Sequence, residues 1–192
     1  MGWRAPFLWA ILLLSLRPAA QVTPPDKSIV RLPQGAITRI PSPDSRWVLV
    51  FECPDSCNQR KLWIEDTNSH TPKLVREYQR SLAVGWAPDS KRFFVEDDYD
   101  STGSSTYVVD AATLRITDVN PIIANSDEIA TKMLNAGHSY VRTKGWLNSH
   151  VLVVILSGHF DEPPPRPFTC GYRVDLNGKA EKFLQRAVEE SQ

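Results

Sequence analysis

The 192-residue sequence predicts an all-β protein of about three four-stranded antiparallel units, and three observations carry that expectation. First, an apolar strand-like run recurs three times, each time followed by a polar loop and a second short strand ending in an acidic turn. The copies are Trp47–Phe51 with Leu62–Asp66, Phe93–Val95 with Tyr107–Asp110, and Val151–Leu156 with Tyr172–Asp175. Second, two copies open on the same turn, Ser42-Pro43-Asp44-Ser45 and Ala87-Pro88-Asp89-Ser90. Proline pre-sets the second turn position there and aspartate follows it. Third, each copy closes on turn residues and one more short strand. Repeats at this period imply stacked sheets, none of which buries its own faces alone.

The runs after the first turn are apolar on consecutive positions, which predicts strands covered on both faces, as in a sheet stacked between two others. The next strand alternates more. It ends at Asp66-Thr67-Asn68-Ser69, Asp110-Ala111-Ala112-Thr113 or Asn177-Gly178, the last a type I′ hairpin signal. A fourth strand returns around Lys73–Val75, Leu114–Thr117 and Lys182–Leu184. A large apolar residue ends each incoming strand, namely Ile40, Trp86 and Trp146, with Gly85 and Gly145 before the two tryptophans. The third copy lacks the proline turn and has Leu147-Asn148-Ser149-His150 instead. Between the second and third units, Asn125 and Glu128 have capping-box spacing. Ile129, Ala130, Met133 and Leu134 form an apolar stripe, and Gly137 is a stop. One short helix packing against a sheet is expected there.

Four short antiparallel strands, repeated, make a propeller-type blade. Ser42-Pro43-Asp44-Ser45-Arg46-Trp47 and Gly85-Trp86-Ala87-Pro88-Asp89-Ser90-Lys91-Arg92-Phe93 resemble the Ser-Pro-Asp repeats of the WD40-like propellers in the TolB family, which also occur in non-catalytic propellers of prolyl oligopeptidase relatives. The resemblance covers residues 36–118 well and 139–186 poorly, and Ser45 and Ser90 stand where the family usually has glycine. It implies a partial β-propeller and, as a family property, a protein-interaction platform in the cell envelope. Propellers typically have four to eight blades. Three units therefore predict an open arc, a ring completed by a second chain, or a sandwich, with edges that invite pairing.

Residues 1–20 read as a secretory signal peptide: Arg4 is basic, Ala5–Leu16 is mostly apolar, and Pro18-Ala19-Ala20 supplies small residues before Gln21. The alternative is an uncleaved anchor, but the apolar run is short for a bilayer-spanning helix. Residues 21–35 are expected to form a loosely held arm, and 36–188 a single propeller-like β domain. Without Arg4 and Arg17 the chain carries 20 basic against 22 acidic side chains, which gives no footprint for nucleic acid or an anionic membrane. No stable membrane insertion is expected once the signal is removed. Cys53 and Cys57 flank Pro54-Asp55-Ser56 at an expected hairpin tip and are a disulfide candidate, which leaves Cys170 buried or paired between chains. Metal ligation by the cysteines lacks the required spacing, and no metal or cofactor is implied.

Loops between the second and third strands of each unit should emerge on one face: Glu52 to Lys61, Glu96 to Thr106 and Ser157 to Gly171. They carry Glu52 and Asp55 and, as the leading binding candidates, Glu96, Asp97, Asp98, Tyr99, Asp100, His159, Phe160 and Asp161, with Glu162 beyond. A solvated acidic face is the plainer account of this rim. Asp98-Tyr99-Asp100-Ser101-Thr102-Gly103 imitates the opening of a calcium loop, but Val109 stands where the closing glutamate is needed. Asp161–Phe168 is proline-rich and should be stiff, as a spacer or an edge cover.

No nucleophile elbow, zinc-protease helix, phosphate loop or paired-cysteine motif is present, and His70, His138, His150 and His159 are scattered. Adjacent carboxylates such as Asp97 and Asp98 point to opposite faces of a strand. The reading is an exported, non-catalytic binding or assembly module, periplasmic or extracellular, with an envelope or extracellular protein partner and a homodimer as one way to complete the propeller. The alternatives are a secreted inhibitor or immunity-type protein that inserts a loop into an enzyme cleft, and a small hydrolase using the acidic rim.

Overall fold

The computed structural model describes residues 29–33, 37–53 and 60–187, so residues 1–20, most of the 21–35 arm and Cys57 lie outside the described residues. A short strand β1 (Val30–Leu32) comes first. The first blade is β2 (Ile37–Pro41), β3 (Trp47–Glu52), β4 (Arg60–Asp66) and β5 (Pro72–Tyr78). The second is β6 (Ser81–Trp86), β7 (Arg92–Asp98), β8 (Gly103–Asp110) and β9 (Ile116–Asp118). Helices α1 (Asn120–Ala124) and α2 (Glu128–Leu134) precede the third blade, β10 (His138–Asn148), β11 (Val151–Phe160), β12 (Arg166–Asp175) and β13 (Lys179–Ala187). Each blade is an antiparallel meander.

Turn chemistry sets the repeat. In the first turn Ser45 N donates to Ser42 O at 2.9 Å and Asp44 accepts from the Ser42 hydroxyl and from Arg46 N. Those bonds, the Ser42 hydroxyl foremost, hold the Asp44 carboxyl below its ordinary range. Ser45 and Ser90 lie at φ of 61° and 62°, the left-handed region that a glycine would enter without cost. The far turns repeat as well: Asp66, Asp110 and Asp175 each accept from a backbone N–H two residues on.

Two apolar cores result, one on each side of the second blade. Leu82, Val84, Phe93, Val95 and Val109 face the first blade and pack with Leu49, Phe51, Leu62 and Ile64. Ala83, Phe94 and Val108, the alternate residues of the same strands, face the third blade and pack with Val141, Leu152, Leu156 and Tyr172, under Ile123 of α1 and Met133 of α2. One polar contact is repeated one blade along. Trp86 Nε1 donates to Ile40 O, and Trp146 Nε1 donates to Gly85 O, each at 3.1 Å. Gly85 also leaves room for Phe94, whose ring stands 2.5 Å from where a Cβ would sit.

The structure corrects several expectations. The second and third blades are not separate sheets: a short parallel pairing of Ser139 and Tyr140 with Gly103 and Ser104 joins them into one nine-stranded sheet, while the first blade stays separate. The end of the arm is not loose, because β1 pairs antiparallel with β6 and buries Leu32. The third apolar run is not covered on both faces. Its residues alternate between buried and half-buried, since no blade packs on its outer side among the described residues.

Two helices stand where one was expected. Pro121 opens α1. The N-cap of α2 is Asp127, accepting from Ala130 N at 2.6 Å, rather than Asn125, and the helix stops at Asn135, before Gly137. Ile129 is exposed rather than part of the stripe. At Asn177-Gly178 only Gly178 has positive φ, with its N–H on Asp175 O, so the turn is not type I′.

The two serine turns differ in one respect. Ser90 Oγ accepts from Asp44 N at 3.0 Å across the blade junction, whereas the exposed Ser45 side chain spans no such gap. Ser45→Gly should therefore stabilise the protein by up to about 1 kcal/mol through relief of the left-handed conformation. Ser90→Gly should show no gain, because it also deletes the junction bond. Urea denaturation of both variants checks the pair, and equal gains would remove the junction bond from the account.

Candidate functional site

Strand β7 carries the first predicted site residues, and it carries them inward. Glu96 and Asp97 are 1% and 4% exposed, in a strand that runs on to Asp98, so neither belongs to a loop. Being neighbours on a strand, they point to opposite faces. Glu96 Oε1 accepts from Arg142 Nη1 at 2.8 Å and from Arg31 Nη1 at 3.2 Å, and Oε2 accepts from Thr143 N at 2.6 Å. The carboxylate thus ties the second blade to β10 and to β1. Asp97 Oδ2 accepts from Arg76 Nε of β5 at 2.8 Å, with Nη2 of the same ion pair at 2.6 Å, and ties the second blade to the first.

Asp98 ends the strand. Its Oδ2 accepts from the Ser81 hydroxyl at 2.6 Å, and its Oδ1 stands 2.5 Å from Arg142 Nη1 without hydrogen-bond alignment, a charge contact only. Burial works against the charge of Arg142, but Glu96 and Asp98 more than offset it and hold the guanidinium above its ordinary value. Arg76 and Arg142 also lie over the rings of Tyr107 and Tyr140, at 4.8 and 5.5 Å.

The loop that remains is short. Asp100 Oδ1 accepts from Thr102 N, Thr102 Oγ1 and Gly103 N at 2.7 to 2.8 Å, bonds that hold its carboxyl below the ordinary range and close the loop on itself. The calcium-like spacing is used in this self-contained turn. Tyr99 is 47% exposed, with burial of its inner part and the nearby Asp100 raising its phenol pKa. Its hydroxyl stands 2.1 Å from where a Cβ on Gly103 would sit, so only glycine lets the ring lie across the loop.

Strand β10 begins between this loop and the next one. Tyr140 donates its hydroxyl to Ser101 O at 2.6 Å, and Ser139 N bonds Thr102 O at 2.9 Å. On the other side His138 is the direct cross-strand partner of His159. Their rings stack at 4.2 Å with 20° between planes. Asp161 Oδ1 lies 3.3 Å from His138 Nδ1 and 3.7 Å from His159 Nε2. Phe160 turns instead toward Phe168, with ring centroids 5.0 Å apart, and Arg166 lies over it while pairing with Glu162.

Of the predicted rim, Tyr99 with Asp100 and His159 with Asp161 therefore sit on either side of the start of β10. Glu96 and Asp97 belong to the blade junctions. Sequence reasoning missed His138, Arg76 and Arg142. The two arginines sit in strands at positions whose inward reach only the stacking reveals. His138 gains its partner from strand register, which a helix-to-strand connection hides.

Cys53 is buried in the first core, and the proposed Cys53 to Cys57 pairing falls partly outside the described residues. Of the two fates expected for Cys170, the structure has burial: its thiol lies 3.7 Å from Met133 Sδ, and burial pushes its pKa up. Among the described residues no helix is long and apolar enough to cross a membrane.

No protein-family model and no curated protein sequence matches the chain. Solved structures do. The β-propeller domain of the Trilobed protease from Pyrococcus furiosus, described as having an open velcro topology, matches with a TM-score of 0.51 at 14% identity over 79% of this chain and 44% of its own. The acylaminoacyl peptidase of Pyrococcus horikoshii matches at 0.44, with 15% identity over 78% of this chain and 25% of its own. TolB from Acinetobacter baumannii matches at 0.40, with 14% identity over 80% and 32%. The chain spans less than half the length of each of these structures. At such identities the likeness concerns fold alone, and the fold is a partial β-propeller.

Glu96→Ala should cost about 3 kcal/mol, because it strips the Thr143 N–H of its acceptor and leaves Arg142 only its charge contact with Asp98, although the outer part of Arg31 still reaches water. Tyr99→Ala should cost less than about 1 kcal/mol, as for a surface side chain. Urea unfolding of the two variants tests this, and similar losses would return Glu96 to a surface role.

Proposed function

We propose that the protein is an exported, non-catalytic binding or assembly module that presents the Tyr99 and Asp161 loops of a partial β-propeller to a protein partner in the periplasm or outside the cell. One observation carries the reading. The carboxylates nearest to a reactive constellation, Glu96, Asp97 and Asp98, are engaged by arginines and Ser81, while the loop beside them is ordered by its own bonds and offers an exposed aromatic ring. Groups already neutralised in this way are poorly suited to acid and base work, which disfavours the hydrolase alternative. Export rests on residues 1–20, and the envelope partner rests on the resemblance of the Ser-Pro-Asp repeats. The near-neutral charge supports a protein partner over nucleic acid.

The inhibitor reading keeps one specific support: the Tyr99 to Thr102 loop is pre-ordered by Asp100, which lowers the entropy lost when such a loop enters a cleft. A homodimer that completes the propeller is proposed from the half-buried outer side of β11.

A photo-crosslinking residue at Tyr99 or at Asp161 should capture a protein partner in cells that make this protein, and one at the exposed Lys73 of β5 should not. Silence from both loop positions would sink the reading. Loss of the complex on Tyr99→Ala alone would select the inhibitor, since a broad face loses affinity only with several substitutions. Light scattering of the purified protein reads the dimer: a two-chain mass supports ring completion, and a one-chain mass ends it.

A further inference from the structure

Ring stacking brings His138 and His159 together, and both rings turn a nitrogen to one carboxylate, His138 Nδ1 within hydrogen-bond distance of it. His138 presents Nδ1 and His159 presents Nε2 to one carboxylate oxygen, Asp161 Oδ1, at 3.3 and 3.7 Å. One ligand atom from each of the three residues falls within 4.8 Å of the others, an arrangement found nowhere else among the described residues. In a tetrahedral site with bonds of about 2.0 to 2.1 Å, ligand atoms stand roughly 3.4 Å apart. Two of the three separations, 3.3 and 3.7 Å, lie close to that value, and for both ring lone pairs to meet one ion the half-exposed rings rotate out of their stack.

We propose that His138, His159 and Asp161 form a three-ligand site for a divalent transition metal, with zinc as the foremost ion. Two imidazoles and one carboxylate select zinc, copper or nickel over calcium and magnesium, which take oxygen ligands. The fold supplies the preorganisation. The histidines are fixed opposite each other by the β10–β11 register, and a Cβ on Gly158 would stand 1.9 Å from His138 O, so glycine there keeps the strands close. Gly137 does the same for the third ligand: a Cβ on it would stand 1.8 Å from Asp161 Oδ2, so the carboxylate folds over the histidines only because that position has no side chain. The three ligands are 36% to 60% exposed, which leaves a fourth position open to water or to a side chain of a bound partner. The site shares Asp161 with a loop assigned to partner binding but depends on none of that assignment.

The test uses protein purified without a histidine tag. Calorimetric titration with zinc, and visible absorption on titration with cobalt(II), should give one equivalent bound. His138→Ala and His159→Ala should each weaken binding at least about tenfold. Asp161→Asn and Gly137→Ala, the latter displacing a ligand without removing one, should weaken it by a similar order. His70→Ala and His150→Ala, exposed histidines elsewhere in the chain, should leave it unchanged. Absence of stoichiometric binding, or binding that survives loss of both His138 and His159, overturns the proposal. Should a variant fail to fold, zinc protection of the unaltered protein decides instead: selective shielding of His138 and His159 from acylation by diethylpyrocarbonate, read by mass spectrometry, supports the site, and uniform modification refutes it.

Discussion

Side chains on a β-strand alternate between its faces, and in the second blade both faces are inside the protein. Every inward position of β7 has to be answered from a different neighbour: Phe93 and Val95 from the first blade, Phe94 from the third, and then two carboxylates in succession. Arg76 answers Asp97 from one side, and Arg142 with the Thr143 N–H answers Glu96 from the other. A carboxylate taken out of water is tolerated only with such partners. The stacking of the three blades is therefore specified by charge as well as by apolar area, because a blade placed out of register would leave one of these groups buried and unpaired. The short loop beyond β7 inherits its position from these clamps, as does the start of β10.

The parts of the fold legible in the sequence are those that local chemistry dictates. Ser42-Pro43-Asp44-Ser45 and Ala87-Pro88-Asp89-Ser90 announce their turns because proline and aspartate have few other uses in that order, and the consecutive apolar residues of β3 and β7 announce double-sided burial. What the sequence leaves hidden depends on register or on end effects. Val151 to Leu156 reads like the other two runs, yet half its residues stay partly exposed because nothing described packs outside them. Asn125 and Glu128 have the spacing of a capping box, but Asp127 is better placed to bond Ala130 N and takes the cap. Glu96 and Asp97 look like the opening of an acidic loop, since acidity usually marks a surface. Only the arginines that meet them, from positions 21 to 65 residues away, offset the cost of that burial.

The face that survives this reassignment is smaller and more ordered than an acidic rim. It consists of Tyr99 on a loop shaped by Asp100, the ring of Tyr140 bonded to that loop, and the paired histidines with Asp161 beyond it. Its shape is set by backbone-directed bonds and by glycines. Preformed surfaces of this kind lose little entropy on binding, and they discriminate by fit rather than by charge alone.

The indole contacts give the stack a direction. Each tryptophan, Trp86 and then Trp146, reaches back to a carbonyl in the preceding blade, and by strand register Pro41 holds the corresponding place in the first. Proline has no N–H on its ring and no side chain that could reach back. At that position the first blade accepts such a link and returns none, so the three blades are not interchangeable in this contact. Any seam that set this blade behind a third would have to be held by other means.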